Sequence, residues 1–208
     1  MHLLAAQPGT IDDGSEAVDL GQTPGDIVVL TAADTEIACL AQAQAARLAE
    51  DPDAPSLRLA NLLHLGHNLS VDLYVESVVS RAKLAVVRLL GGRAYWPYGV
   101  EQLAETCRGR GIALALLPGD DQPDAELVGL STLPAEALHR LWQYCVHGGL
   151  ENATGLLRYG AALIGRDVQW AEPAPLLRAG LYWPGLARPA PGDLPRDRTR
   201  PLAAIVFY

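Results

Sequence analysis

Lysine, sulfur and long apolar runs are all scarce in this 208-residue chain. A single lysine, Lys83, accompanies fifteen arginines, and against 24 acidic residues the net charge is −8. A surface that grips nucleic acid needs clustered Lys and Arg, so that class of function is excluded. No apolar stretch approaches the roughly 20 residues of a membrane span. The first residues also lack the charged flank and apolar core of a signal peptide. The expectation is a cytoplasmic protein with neither a membrane nor a nucleic-acid partner. Cys39, Cys107 and Cys145 are far apart, odd in number and set among apolar neighbours. They form neither a disulfide framework nor a metal-binding pair, and read as small core residues.

Common catalytic signatures are missing as well. The chain has no GxxxxGK[ST] phosphate loop, no GxGxxG after a strand, no GxSxG elbow and no HExxH helix. ATP hydrolysis through a phosphate loop is therefore not expected, and no nucleophile–base pair stands out.

Half of the residues are apolar, enough for a sizeable core. The organising stretch runs from Lys83 to Asp121. Leu84 to Leu90 has the apolar, partly β-branched pattern of a strand buried on both faces. Gly91-Gly92 breaks it, and Arg93-Ala94-Tyr95-Trp96-Pro97-Tyr98 forms a cationic, aromatic loop. A helix is predicted from Gly99 to about Gly109, with Val100, Leu103, Ala104 and Cys107 on one stripe. Ile112 to Leu117 is a second strand, ended by Pro118-Gly119-Asp120-Asp121.

Upstream, His2 to Ala6 reads as a first strand, and residues 7–26 as a solvated loop rich in Gly, Pro and Asp. Ile27 to Ala32 is a strand. Asp34 then caps a helix from Thr35 to Glu50 with Ile37, Leu40, Ala41, Ala45 and Leu48 on its buried face. Leu57 to Leu63 is a further strand, and Ser70 caps the next helix. Successive strand–helix steps imply right-handed crossovers. Residues 1–130 are thus expected to form a doubly wound, mostly parallel α/β sheet of the flavodoxin or Rossmann-like kind. Residues 131–169 predict a small helical subdomain packed on that sheet or extending it. One helix there is opened by Pro134 with Thr132 or Leu133 near its cap. It carries Ala137, Leu138, Leu141, Trp142 and Cys145 and ends at His147-Gly148-Gly149; a second runs from Glu151 to Ile164. Residues 170–201 read as a proline-rich connector. Residues 202–208 read as a buried-type strand whose abrupt end points to a longer polypeptide.

Ligands of open α/β sheets sit beyond the carboxyl ends of the strands, where the Gly-aromatic loop lies. Arg88, Arg93, Tyr95, Trp96 and Tyr98, with the second aromatic turn at Tyr182 and Trp183, are the candidate binding residues. Aromatic faces beside guanidinium groups suit a planar ligand bearing carboxylates. The same aromatics could simply seal the end of the sheet. His64 and His67, three residues apart, are candidate ligands for a divalent ion, or else hydrogen-bond the loop that holds them.

The run VVRLLGGRAYWPYGVEQLAETCRGRGIALALLPGDD, with HNLSVDLYVE before it and GGLEN after it, resembles the large subunit (CobN) of the aerobic cobaltochelatases. The opening MHLLAAQPGTIDDGSEAVDLGQTPGDIVVLTAADTE is similar to that family's amino terminus, so the resemblance covers nearly the whole chain. The family is related to the magnesium chelatase large subunit and is far longer than this chain. The resemblance implies a ligase forming nitrogen–metal bonds, in which Co(II) is the substrate metal. ATP-dependent insertion places it in hydrogenobyrinic acid a,c-diamide during aerobic cobalamin biosynthesis. It further implies that an AAA+ ATPase subunit and a metal-binding adaptor subunit supply the ATP hydrolysis. The fragment alone is expected to be inactive, with its catalytic residues unassigned. Against a tetrapyrrole-handling role stands a second expectation, a structural or docking head domain with no ligand of its own. A free-standing flavodoxin-like protein is the third, and Gln7-Pro8-Gly9-Thr10 is a poor phosphate loop for it.

Overall fold

A computed structural model of the protein describes residues 16–175, 180–186, 190–194 and 205. The first strand expected at His2 to Ala6 and most of the one expected at 202–208 lie outside these residues. The chain divides into two compact units, Met1–Ala174 and Pro175–Tyr208.

Among the described residues the first unit is built on four parallel strands in the order β2-β1-β3-β4: β1 Ile27–Thr31, β2 Leu57–Asn61, β3 Leu84–Leu89 and β4 Ala113–Pro118. Six helices follow or connect them: α1 Asp34–Glu50, α2 Asn68–Ser77, α3 Pro97–Arg110, α4 Ala125–Leu130, α5 Ala135–His147 and α6 Gly149–Leu163. A parallel sheet needs cover on both faces, and the alternation of side chains along each strand supplies the two apolar surfaces. Val28, Leu30, Ala85, Val87, Leu89, Leu114 and Leu116 point to the core shared with α2, α3 and α4. Ile27, Val29, Leu84, Val86, Ala115 and Leu117 point to the opposite core, shared with α1, α5 and α6. The fold is the doubly wound α/β architecture expected, and the two last helices cover one face of the sheet. Among the described residues no helix is long and apolar enough to cross a membrane.

Several local expectations shift. The N-cap of α1 is Ala33, and Asp34 instead accepts a hydrogen bond from Asn61 Nδ2 at 2.7 Å. Its buried face is Leu40, Ala43, Gln44 and Arg47, while Ala41, Ala45 and Leu48 are exposed. A purely apolar stripe misses this face because Gln44 and Arg47 are buried by bonding the Pro55 and Leu157 carbonyls. Burial lowers the Arg47 pKa, as does the nearby Arg158. The strand β2 stops at Asn61, whose side chain caps a 3-10 turn over Leu62–Leu65. Ser70 does not cap α2: His67 does, through Nδ1, and the buried Ser70 hydroxyl accepts from the Val18 N–H. The helix α3 begins two residues early, with Pro97 in its first turn. Neither Thr132 nor Leu133 caps α5, whose N-cap is Pro134. Its innermost aromatic is Tyr144, whereas Trp142 and Cys145 are half-buried.

Two side-chain devices hold the sheet. At its amino end the Asp26 carboxylate takes the Ser56 N–H and hydroxyl at 2.9 and 2.7 Å and Lys83 Nζ at 2.9 Å. The Asp26 carbonyl receives the N–H groups of Lys83 and Leu84. One residue therefore joins the starts of β1, β2 and β3. At the β4 edge, the Thr132 and Ser131 hydroxyls accept the N–H groups of Leu114 and Leu116, at 2.7 and 2.9 Å. This removes donors that would otherwise invite another strand.

The bonds from Ser56 and Lys83 lower the Asp26 pKa from 3.8 to about 2. Because the folded value lies below the unfolded one, this stabilisation is complete above the unfolded pKa and is lost as pH falls from about 4 through about 2. Urea midpoints measured across that window should fall less steeply in Asp26→Asn than in the parent. A second prediction concerns Gly99, where an added Cβ would lie 2.0 Å from the Trp96 ring. Gly99→Ala should cost about 3 kcal/mol by urea denaturation. Gly109→Ala, in the same helix with open space around it, should gain about 0.5 kcal/mol.

Candidate functional site

The carboxyl ends of the strands gather most of the residues expected to bind. Arg88 is the fifth residue of β3, in register with Thr31 on one side and Leu117 on the other. Its side chain lies on the α1 and α5 face and is ion-paired with Glu36. The Thr31 hydroxyl donates to the other Glu36 oxygen at 2.6 Å. The same guanidinium donates to the Gly119 carbonyl at 2.9 Å and, more weakly, to that of Pro118 at 3.4 Å. Arg88 thus ties α1 to β3 and to the turn after β4. Its charge and its donors are used inside the domain.

Gly91 and Gly92 both have positive φ, 93° and 70°, which lets β3 turn sharply into the aromatic loop. Arg93 emerges on the surface and is clasped by Glu101 at 2.5 Å and Glu126 at 3.1 Å, an arrangement that raises its pKa. Trp96 points inward. It is 7% exposed, its Nε1–H donates to the Leu65 carbonyl at 2.8 Å, and its ring lies against Gly99. The Tyr98 hydroxyl donates to Asp72 at 2.7 Å, locking α3 to α2 and raising the phenol pKa. Tyr95 remains as the exposed ring of the loop.

Between this loop and the turn after β4 lies an open groove of about 320 Å³, lined by Leu89, Gly91, Gly92, Pro118, Asp120, Gln122, Pro123, Asp124 and Ala125. Among the described residues its side-chain polar groups are acidic or neutral. Asp124 is engaged as the N-cap of α4, accepting the N–H groups of Glu126 and Leu127 at 2.9 and 3.0 Å. That helix was not anticipated, although Asp124 followed by Glu126 in the first turn is a legible start signal.

His67 spends Nδ1 on capping α2, accepting from Leu69 N–H at 3.1 Å. His64 is in the preceding 3-10 turn. Among the described residues no group of three or more His, Cys, Asp or Glu side chains converges. Tyr182 and Trp183 belong to the second unit, where Trp183 and Leu186 pair across a tight turn at Pro184-Gly185; both aromatic rings are exposed. Burial pushes the Cys107 and Cys145 thiols up to about 12 and about 11, so neither is a ready nucleophile at neutral pH.

The sequence does not mark the carboxylate partners Glu36, Glu101 and Glu126. They sit 8 to 52 residues from their arginines, and no local spacing marks them.

Fold and site together define a doubly wound parallel α/β domain with an acidic, partly apolar carboxyl end. A comparable fold occurs in a solved structure of the catalytic subunit of cobaltochelatase from Mycobacterium tuberculosis. The TM-score is 0.58 at 22% identity, over 76% of this chain and 12% of that one. No protein-family model matches the chain. Two curated relatives, both named aerobic cobaltochelatase subunit CobN, do. The protein from a Sinorhizobium species is 49% identical over 89% of this chain, and that from Pseudomonas aeruginosa 45% identical over 100% of it. The chain belongs to the CobN family, and it spans 14% and 17% of the length of these two relatives.

Breaking the Arg88 pair should be costly because Glu36 would be left half-buried without its counter-charge. Arg88→Ala is expected to lose about 2 kcal/mol in urea denaturation. Arg93→Ala, which releases only exposed partners, should leave the midpoint unchanged.

Proposed function

We propose that this domain is a non-catalytic head domain of a CobN-type cobaltochelatase subunit, serving assembly and holding no ligand of its own. The parent enzyme would be a cytoplasmic ligase that inserts Co(II) into hydrogenobyrinic acid a,c-diamide. An AAA+ ATPase subunit and a metal-binding adaptor subunit would supply ATP hydrolysis. The observation that carries the reading is the internal use of the groups suited to a carboxylate-bearing macrocycle. Arg88 is committed to Glu36 and two carbonyls, and Arg93 to Glu101 and Glu126. Trp96 is sunk in the core, and Tyr98 is bound to Asp72. To grip a new carboxylate the half-buried Arg88 would have to leave a partner it already holds, and the charge of Arg93 is already shared by two carboxylates, so little net affinity would result. The groove beside them is lined by aspartates, which repel an anionic ligand.

The second reading, a part of the tetrapyrrole site, is favoured by one feature: Tyr95 presents an exposed ring beside Arg93 at the carboxyl end of the sheet. A titration of the chain with hydrogenobyrinic acid a,c-diamide, followed by absorbance and Trp fluorescence, separates the two. No saturable change up to high micromolar concentration is expected. Saturable binding weakened by Arg93→Ala and Tyr95→Ala would transfer the role to substrate handling.

A further inference from the structure

The carboxyl end of the sheet carries an apolar rim. Leu63, Leu69, Leu90 and Tyr95 are each 44% to 49% exposed, and all four lie in or just after the connections that follow β2 and β3. Single exposed leucines are ordinary, but a contiguous set is not. Contacts between neighbouring residues bring the segments that carry this set together. The Trp96 indole bonds the Leu65 carbonyl, so the turn holding Leu63 abuts the loop holding Tyr95. Tyr98 bonds Asp72, one turn along α2 from Leu69. Gly91 lies against the Tyr95 Cβ, and Gly119 against the Leu90 backbone, which carries the rim to the edge of the groove.

Charge selects among possible occupants. The strand ends and helix starts around this rim bear Asp34, Asp72, Asp120, Asp121 and Asp124, whereas Arg88 and Arg93 beside them are already ion-paired. An anionic membrane or a nucleic acid is repelled by that field. The 320 Å³ groove, with Asp120, Gln122 and Asp124 on its walls, has room and acceptors for a guanidinium or ammonium group. We propose that this rim and groove form a docking surface for a polypeptide segment in which Arg or Lys alternates with large apolar residues. The cation enters the groove, and the apolar neighbours cover Leu90 and Tyr95. This rests on the reading of the domain as an assembly module and names the chemistry of its partner.

The test uses the 208-residue chain, labelled with ¹⁵N, and two synthetic peptides of equal length, one alternating Leu and Arg, the other Leu and Glu. The Leu–Arg peptide should shift the amides of residues 63–69, 90–96 and 119–125 saturably, and added salt should weaken it. Leu90→Ser, which alters an exposed side chain, should weaken it about tenfold, as loss of one apolar anchor does. Asp120→Asn should weaken it while keeping the turn bond to the Gln122 N–H. Equal binding of the Leu–Glu peptide, shifts elsewhere, or indifference to Leu90→Ser would each overturn the proposal. So would self-association of the chain that Leu90→Ser abolishes, because the occupant would then be a second copy. A chain that ignores tetrapyrrole and peptide alike leaves the head-domain reading standing and removes only this one. A chain that binds the tetrapyrrole removes the head-domain reading itself.

Discussion

Cover on both faces is the condition on which this domain depends. Parallel strands cannot leave one face in water as an antiparallel sheet can, so each of the four strands must supply apolar side chains in both directions. The chain meets that demand with α2, α3 and α4 on one side and α1, α5 and α6 on the other. Much of the remaining organisation follows. With both faces closed and the β4 edge blocked by Ser131 and Thr132, the loop-bearing ends of the sheet keep the residues that the strands do not bury. Of these, the amino end is drawn together by Asp26, Ser56 and Lys83. The carboxyl end keeps its groove and its apolar rim.

The charged groups at that end act inwardly. Arg88 holds three elements together because its fork of donors reaches a carboxylate and two carbonyls at once, which a lysine's point charge would not do. Arg93 closes the aromatic loop against α3 and α4. A similar use of arginine recurs near α5. There Arg140 bonds Glu172 and lies 4.8 Å from the Trp170 ring centre and 5.1 Å from that of Tyr159. With Asn152 bonded to Ala174 in both directions, this binds residues 170–174 to the helical face. A chain with one lysine and fifteen arginines thus uses several of those arginines as structural clamps.

Membership of the CobN family and the parallel α/β fold were both legible in the residues. The apolar run at Leu84, the double glycine after it and the stripe Val100, Leu103, Ala104 and Cys107 are local patterns, and local patterns need no knowledge of what lies opposite. The start signal of α4 at Asp124 is equally local, although the turn residues around it mask it. The buried face of α1 was different, since Gln44 and Arg47 are polar by type and buried only because carbonyls from the chain after α1 and from α6 receive them.

The sequence by itself determined where the four described strands begin, that they are parallel, and that the loop after β3 is the chemically distinctive one. Strand periodicity, glycine and proline act over a few residues, so their consequences can be read in order along the chain. What that loop is free to do was decided by the tertiary structure alone. Whether Arg88, Arg93, Trp96 and Tyr98 face a ligand or their own protein depends on Glu36, Glu101, Leu65 and Asp72, up to 52 residues away. Folding brings those partners within 3.1 Å or less, and a charge or hydroxyl proton engaged at that distance gains little by turning to a new partner.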